Sequence, residues 1–242
     1  MCCRYYIEET TEMQAIVSDM MCSSLVRKWN ELYPIKTYGE MSPTDIVPVI
    51  ASNRNRQRAV FPMKWGFTGK TLLMNARVET AAVKPTFKDA WKSHRCIVPA
   101  SYYFEWEHLI GNNGKTKTGN KYAIQPQGSS MTWLCGLYRF ENVGPFVPAK
   151  DGRNKTLRSA QGNSFGVGHG TVQEQLNAVL GPMPFFVILT REPGEQIRFI
   201  HDRMPLILPG ELVDEWIFPD TNPDDLLGNA LTDMVFEKVV EG

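Results

Sequence analysis

Cys96-Ile97-Val98-Pro99-Ala100-Ser101-Tyr102-Tyr103-Phe104-Glu105-Trp106 is the stretch that decides the fold. β-Branched and aromatic side chains dominate it, and such side chains suit the pleated, half-buried surface of a sheet. Lys121 to Ile124 and Met131 to Phe140 continue in the same manner beyond a polar Gly-Asn segment at 111–120, which reads as a hairpin loop. Phe185 to Thr190 is a further strand, and the short apolar runs from Ile46 to Trp65, broken by Asn53 and Pro62, suit strands as well.

Helical periodicity lies at the margins of this β-rich centre. Met13, Ile16, Val17, Met20, Met21, Leu25, Trp29 and Leu32 recur at three- and four-residue steps, which predicts one amphipathic helix over Thr11–Leu32. Pro85 followed by Phe87, Ala90 and Trp91 predicts a short helix with proline in its first turn. A further short helix is expected around Ile197 to Ile200, and another, opened by Pro209, buries Leu212, Val213 and Trp216. No internal repeat is visible, and strands outnumber helices. The expectation is an α+β fold, antiparallel in its sheet, as one domain over 1–242. Glycine recurs between Asn142 and Pro184, so 142–184 is read as a flexible glycine-rich insertion.

With 242 residues, 43% of them hydrophobic, the chain can bury a substantial core. It holds no apolar run long enough for a membrane helix, and Glu8, Glu9 and Glu12 follow Arg4 too closely for a signal peptide. The expectation is a cytoplasmic protein with no membrane contact. Five cysteines form no C-x-x-C pair, so neither a disulfide framework nor a zinc knuckle is encoded, and Cys22, Cys96 and Cys135 read as core thiols. The net charge of zero is unevenly spread. From Glu211 on there are nine acidic residues and one basic, leaving 25 basic against 17 acidic in residues 1–210, so a basic body precedes an acidic tail at 211–242. Clusters at Arg54, Arg56 and Arg58, at Lys84, Lys88, Lys92 and Arg95, and at Lys115, Lys117 and Lys121 suit either a phosphate backbone or plain solvated surface.

Cys2 carries the most distinctive chemistry. Removal of Met1, normal before a small residue, leaves Cys2 with a free α-amine beside its thiol, a 1,2-aminothiol. An α-amine with an ordinary pKa of about 7.7–8.0 is partly neutral at physiological pH and attacks aldehydes, and the sulfur can then close a five-membered thiazolidine. Cys3 has no free amine and cannot do this. On base rates alone, a lone cysteine is more often a small buried thiol.

Four segments stand in order: Cys2-Cys3-Arg4-Tyr5, Asn75-Ala76-Arg77-Val78-Glu79-Thr80, Tyr102-Tyr103-Phe104-Glu105-Trp106, and Ile188-Leu189-Thr190 followed by His201-Asp202-Arg203-Met204-Pro205. Together they resemble the SRAP (SOS-response-associated peptidase) family over about residues 2–217. The resemblance implies a mostly antiparallel sheet or open barrel flanked by several short helices. It implies a sensor that traps abasic sites in single-stranded DNA as a thiazolidine crosslink through Cys2, with autopeptidase activity as a further expectation. Cys2, Asn75, Glu105 and His201 are then the catalytic candidates, Glu105 as an acid opening the sugar and His201 as the proton carrier whose ordinary pKa lies nearest neutrality. Arg4, Arg77 and Thr190 are candidate phosphate contacts, and Trp65 a base-stacking residue or a core residue. The chemistry calls for no organic cofactor and no metal, and a monomer is expected.

Two departures mark this chain. The family's usual glycine at position 3 is Cys3, and Tyr38-Gly39-Glu40-Met41-Ser42-Pro43-Thr44 lacks the family's asparagine-rich form. Structural readings remain for each candidate: Glu105 paired with an arginine, His201 with Asp202 in a surface pair, Arg203 as an ordinary surface charge, Asn75 in a turn, Arg77 with Glu79 across strands. His94, His108 and His169 match no motif and are assigned to surface or packing. The competing functions are a non-covalent single-stranded nucleic acid binder, a cysteine peptidase and an abasic-site lyase.

Overall fold

The computed structural model describes residues 3–110, 116–141 and 182–240. Cys2, His169, Lys115 and most of the 142–184 segment lie outside them. In chain order the elements are β1 (Arg4–Ile7), α1 (Thr11–Met21), α2 (Ser24–Leu32), β2 (Gly39–Met41), β3 (Ile46–Ser52), β4 (Arg58–Trp65), β5 (Asn75–Arg77), α3 (Val78–Ala81), α4 (Lys88–Ser93), β6 (Arg95–Ala100), β7 (Tyr102–Ile110), β8 (Thr116–Pro126), β9 (Thr132–Glu141), β10 (Met183–Arg191), β11 (Met204–Pro205), β12 (Ile207–Leu208), α5 (Val213–Ile217) and β13 (Met234–Lys238).

Strands β10, β4, β3, β6 and β9 pair in that order, and β9 pairs back onto β10, so five strands form a closed barrel. Closure removes free edges from the most apolar part of the chain. All pairs in the ring are antiparallel except β10–β4. Every residue of β6 is buried, as are Phe185 through Thr190 of β10, which explains why these strands read as unbroken apolar runs rather than alternations.

A second sheet, ordered β13-β8-β7-β1-β2, lies outside the ring. The decisive stretch contributes to both: β6 belongs to the barrel, β7 to the outer sheet, and Ser101 is the corner. There Ser101 donates its N–H to Tyr6 O at 2.8 Å and accepts the Glu8 N–H on Oγ at 2.9 Å. Tyr5 of β1 packs its ring 5.2 Å from that of Trp65, joining the two sheets through the core.

The segment expected as one helix is two. Ser23 accepts the Val26 N–H on its hydroxyl and caps α2, as Thr10 caps α1 through Met13. Serine side chains compete with helical backbone bonding in this way and favour a helix start over a helix interior. The apolar stripe is consequently only partly used: Met13, Met20 and Trp29 are buried, whereas Leu25 and Cys22 are exposed, so Cys22 is no core thiol. Cys96 and Cys135 are fully buried as expected. Pro85 lies in the turn ahead of α4 rather than within it.

The acidic C-terminal segment folds onto the body. β13 pairs antiparallel with β8 from Met234↔Pro126 to Lys238↔Tyr122, and Trp216 is buried with its Nε1–H donated to Cys96 O at 3.0 Å. Asp220 and Asp214 pair with Arg56 and Arg58, so part of one basic cluster is answered from within the chain. Arg95 belongs to no surface cluster, being 1% exposed. Among the described residues, no helix is long and apolar enough to cross a membrane.

Candidate functional site

Strand alternation aims the acid inward. β1 and β7 pair with Arg4 opposite Phe104 and Tyr5 opposite Tyr103, and both tyrosines are buried. Two residues along β7, the same face carries Glu105, 2% exposed. Burial pushes its carboxyl up to about 7, opposed in part by a backbone hydrogen bond at Trp106 and reinforced by the charge of Asp202. The Cys3 thiol, at the head of β1, is raised by burial and then by the Glu105 charge. On the opposite face of β1, Arg4 donates to Cys3 O at 2.7 Å and meets Glu40 at 3.2 Å. Lys121 shares Glu40 at 2.9 Å while lying 3.9 Å from the ring centre of Phe104.

A β-bulge then re-aims the strand. The β7–β8 register shifts between Trp106 and His108, and the His108 N–H donates to Ile200 O at 3.0 Å. Its imidazole comes to rest with its ring centre 4.0 Å from that of His201. His108, assigned from sequence to surface or packing, is therefore part of the neighbourhood of the site. Nothing in its local sequence announces this, because the contact depends on a bulge and on a turn far along the chain.

His201 is 6% exposed, and two neighbours compete for Nδ1: the Arg203 N–H at 3.0 Å and Asp202 Oδ1 at 2.7 Å. The amide can only donate, which requires a lone pair on Nδ1, whereas the carboxylate requires a proton there. The Asp202 side chain faces solvent and is 76% exposed, so the fixed backbone donor decides the neutral ring, placing the proton on Nε2. Burial, with the charges of His108 and Arg203, lowers His201 to about 4, against a smaller opposing effect of Asp202. The expectation that His201 is the group titrating near neutrality is thereby reversed. Glu105 takes that position, and His201 is a neutral imidazole at physiological pH.

Behind His201 stands a clamp that the sequence motifs touch but do not reveal. Arg203 grips Glu79 bidentately at 2.7 and 2.9 Å and donates to Thr190 O at 2.6 Å. This forked pair holds the Arg203 amide against His201 and lowers Glu79, first through that hydrogen bond. Glu79 thus pairs with Arg203, not across strands with Arg77, and Arg203 is a buried anchor rather than a surface charge.

The DNA-contact candidates divide. β5 runs parallel to β10 with Asn75 opposite Ile188 and Arg77 opposite Thr190. Asn75 is half-buried and Arg77 exposed. Thr190 is 1% exposed, with its hydroxyl 3.5 Å from Ala76 O, so it supports β5 and Arg203 instead of meeting a phosphate directly. Trp65 is 0% exposed, stacked against Phe186 with its Nε1–H donated to Met74 O at 3.0 Å. It is a core residue with no face to offer a base.

His108, His201 and Asp202 each offer a ligand atom, all within 4.8 Å of one another.

The five-stranded barrel with its outer sheet has counterparts among known proteins. The family model described as SOS response associated peptidase (SRAP) matches residues 1–240, and the chain belongs to that family. It is 32% identical over 155 residues to the abasic site processing protein YoqW of Bacillus subtilis, a match covering 64% of this chain and 52% of that one. It is 28% identical over 196 residues to the abasic site processing protein YedK of Escherichia coli, covering 76% and 65%. The matched region thus spans about half the length of the first Bacillus relatives. Among solved structures, a protein from Bacteroides thetaiotaomicron superposes with a TM-score of 0.64 at 18% identity, covering 99% of this chain and 92% of that one. A phage-related protein from Bordetella bronchiseptica gives 0.61 at 19%, covering 99% and 95%. These structural likenesses establish the fold.

Proposed function

We propose that this protein processes abasic sites by trapping them in single-stranded DNA, with Cys2, freed by removal of Met1, as the covalent residue. The observation that carries the reading is Glu105: a carboxyl 2% exposed, held near pKa 7, facing the head of β1 where Cys3 already feels its charge. Relatives named as abasic site processing proteins give the substrate class.

The chemistry follows from the groups present. An abasic sugar is mostly a closed hemiacetal, so an acid must protonate the ring oxygen as the hydroxyl proton leaves, which opens the aldehyde. The α-amine of Cys2 adds to the aldehyde carbon, water departs, and an imine forms. The thiol then adds to the imine carbon, sulfur forming the C–S bond and nitrogen recovering the proton, so that aldehyde and aminothiol give thiazolidine and one water. Glu105, near half-protonated at neutral pH, serves both as donor to the departing oxygen and as acceptor afterwards. Neutral His201 presents a fixed Nε2–H to hydrogen-bond the sugar oxygen without carrying a charge. Asn75 supplies amide donors and an acceptor to hold the amine or the opened hydroxyl. Arg4 and Arg77 meet the flanking phosphates. Self-removal of a leader by the same Cys2 thiol is the peptidase activity consistent with this site.

The test is incubation of purified protein, its Met1 removal confirmed by mass, with an oligonucleotide carrying one abasic site, followed by denaturing electrophoresis. A stable adduct is expected from wild type and none from Cys2→Ser. Equal non-covalent retention by both, with no adduct from either, sinks the covalent reading in favour of a binding module. Strand cleavage that persists in Cys2→Ser marks a lyase.

A further inference from the structure

We propose that His108, His201 and Asp202 form a binding site for a divalent transition-metal ion of the zinc class, and that its occupancy switches off the covalent chemistry by occupying His201. The binding half of this proposal stands on geometry alone, and the inhibitory half rests on the function proposed above.

Two imidazoles and a carboxylate are the donor set that zinc-class ions take from proteins, with a position left for water. Here the three ligand atoms lie within 4.8 Å of one another, close enough for a shared ion after small rotations of the outer side chains. Those rotations are available: His108 and Asp202 are exposed, with Asp202 at 76%, while His201 is buried and held. The cluster is a fixed ligand at the floor and two adjustable ligands at the rim, open to entry from solvent.

The imidazoles of His108 and His201 lie against each other, their ring centres 4.0 Å apart and their planes tilted by 50°. One divalent ion shared between the two rings also draws on the Asp202 carboxylate. The Arg203 guanidinium is committed to Glu79 and to Thr190 O. The Glu105 carboxyl, which feels the charge of Asp202, adds a second acidic group to the vicinity. His108 reaches the site only because β7 is bulged between Trp106 and His108 and its N–H is tied to Ile200 O, so the pairing is built into the backbone.

An ion there takes the His201 ring nitrogen or pins the ring away from the sugar, and neutralises Asp202. Adduct formation should slow as metal binds. Thiols are the competing ligands, because an aminothiol at Cys2 and the Cys3 thiol also favour zinc.

The test uses the full-length protein, stripped with chelator and kept reduced, titrated with Co²⁺ and then displaced by Zn²⁺. One equivalent is expected with visible ligand-field bands and without the near-ultraviolet sulfur-to-cobalt band that a thiolate adds. Loss of an outer-sphere partner already weakens metal sites by about 10–100-fold, so loss of a ligand in His108→Ala should weaken binding by at least about tenfold. Asp202→Asn should weaken it as well, and Cys3→Ser should leave it unchanged. A dominant sulfur band, or equal affinity in wild type and His108→Ala, overturns the site. The ratio of adduct rates with and without Zn²⁺ should fall in wild type and stay near one in His108→Ala. If metal binds as described but that ratio is the same in both proteins, the switch is refuted and the site remains. If no adduct forms at all while the cobalt result holds, the function proposed above and the switch fail together, and the metal site survives.

Discussion

Arg95 and Glu105 lie ten residues apart on successive strands of the two sheets, both almost wholly buried, and the fold treats them in opposite ways. Arg95 donates Nε–H to Trp216 O at 2.7 Å, Nη1 to Trp91 O and Lys92 O at 2.9 and 2.8 Å, and Nη2 to Phe218 O and to Thr221 O at 2.8 Å. Each of its five N–H donors meets a backbone carbonyl, so the buried charge is a staple that fastens the C-terminal segment to the barrel. Glu105 and its neighbour His201 are placed where burial displaces titration, the acid upward and the base downward. A satisfied buried ion stabilises structure, and a displaced one is kept available for proton transfer.

Four changes break or sharpen this contrast. Glu105→Gln should slow adduct formation by about 10²–10⁴-fold, the usual weight of a general acid, while leaving the protein folded and, at pH 8, more stable than wild type. Single-turnover rates with an abasic oligonucleotide, alongside urea denaturation, check both halves; a full-rate variant removes Glu105 from the chemistry. Arg95→Met should do the reverse, costing about 3–5 kcal/mol by stranding buried carbonyls, with the adduct rate per folded molecule unchanged.

The third change concerns pH, in metal-free buffer. Glu105 has a folded pKa of about 7 against an ordinary 4.5, so the folded state holds its proton more tightly. Its stabilising contribution is full below about pH 4.5 and is lost, on the order of 3 kcal/mol, as pH rises through 7. His201, lowered from 6.5 to about 4, contributes stability that is full above pH 6.5 and lost as pH falls through 4. In the window they share the two slopes oppose each other, so wild type should vary little there on their account. Glu105→Gln should leave stability rising with pH, and His201→Gln should leave it falling. Parallel slopes in both variants refute the opposed shifts. The smallest effect is at the rim: Arg77→Ala should weaken non-covalent DNA binding uniformly across sequences and reduce the salt-dependence slope by about one, seen in fluorescence anisotropy.

Local patterning was enough to locate the strands of the barrel, because β6, β9 and β10 are so apolar that few other fates were open to them. It also located the helix at Val213–Ile217 and the order of motifs that marks the SRAP family. It failed where a polar side chain overrode the average, as Ser23 did in dividing the first helix. Arg54, Arg56, Arg58 and Arg95 looked alike as basic residues in sequence, yet Arg56 and Arg58 meet acids of the C-terminal segment and Arg95 is internal.

For the candidate site, residue type was legible and environment was not. Sequence alone determined that a cysteine at position 2, a carboxylate, a histidine and two arginines stand in the order on which the family resemblance rests. Only the tertiary structure decided that Glu105 faces inward beside the head of β1, that Trp65 and Thr190 are interior, and that His108 meets His201. It also decided which of the two titrating groups lies near neutrality. The physical reason is that a pKa, a tautomer and a ligand set depend on what surrounds a group in space. Here those surroundings come from strands and turns that the chain order keeps far apart.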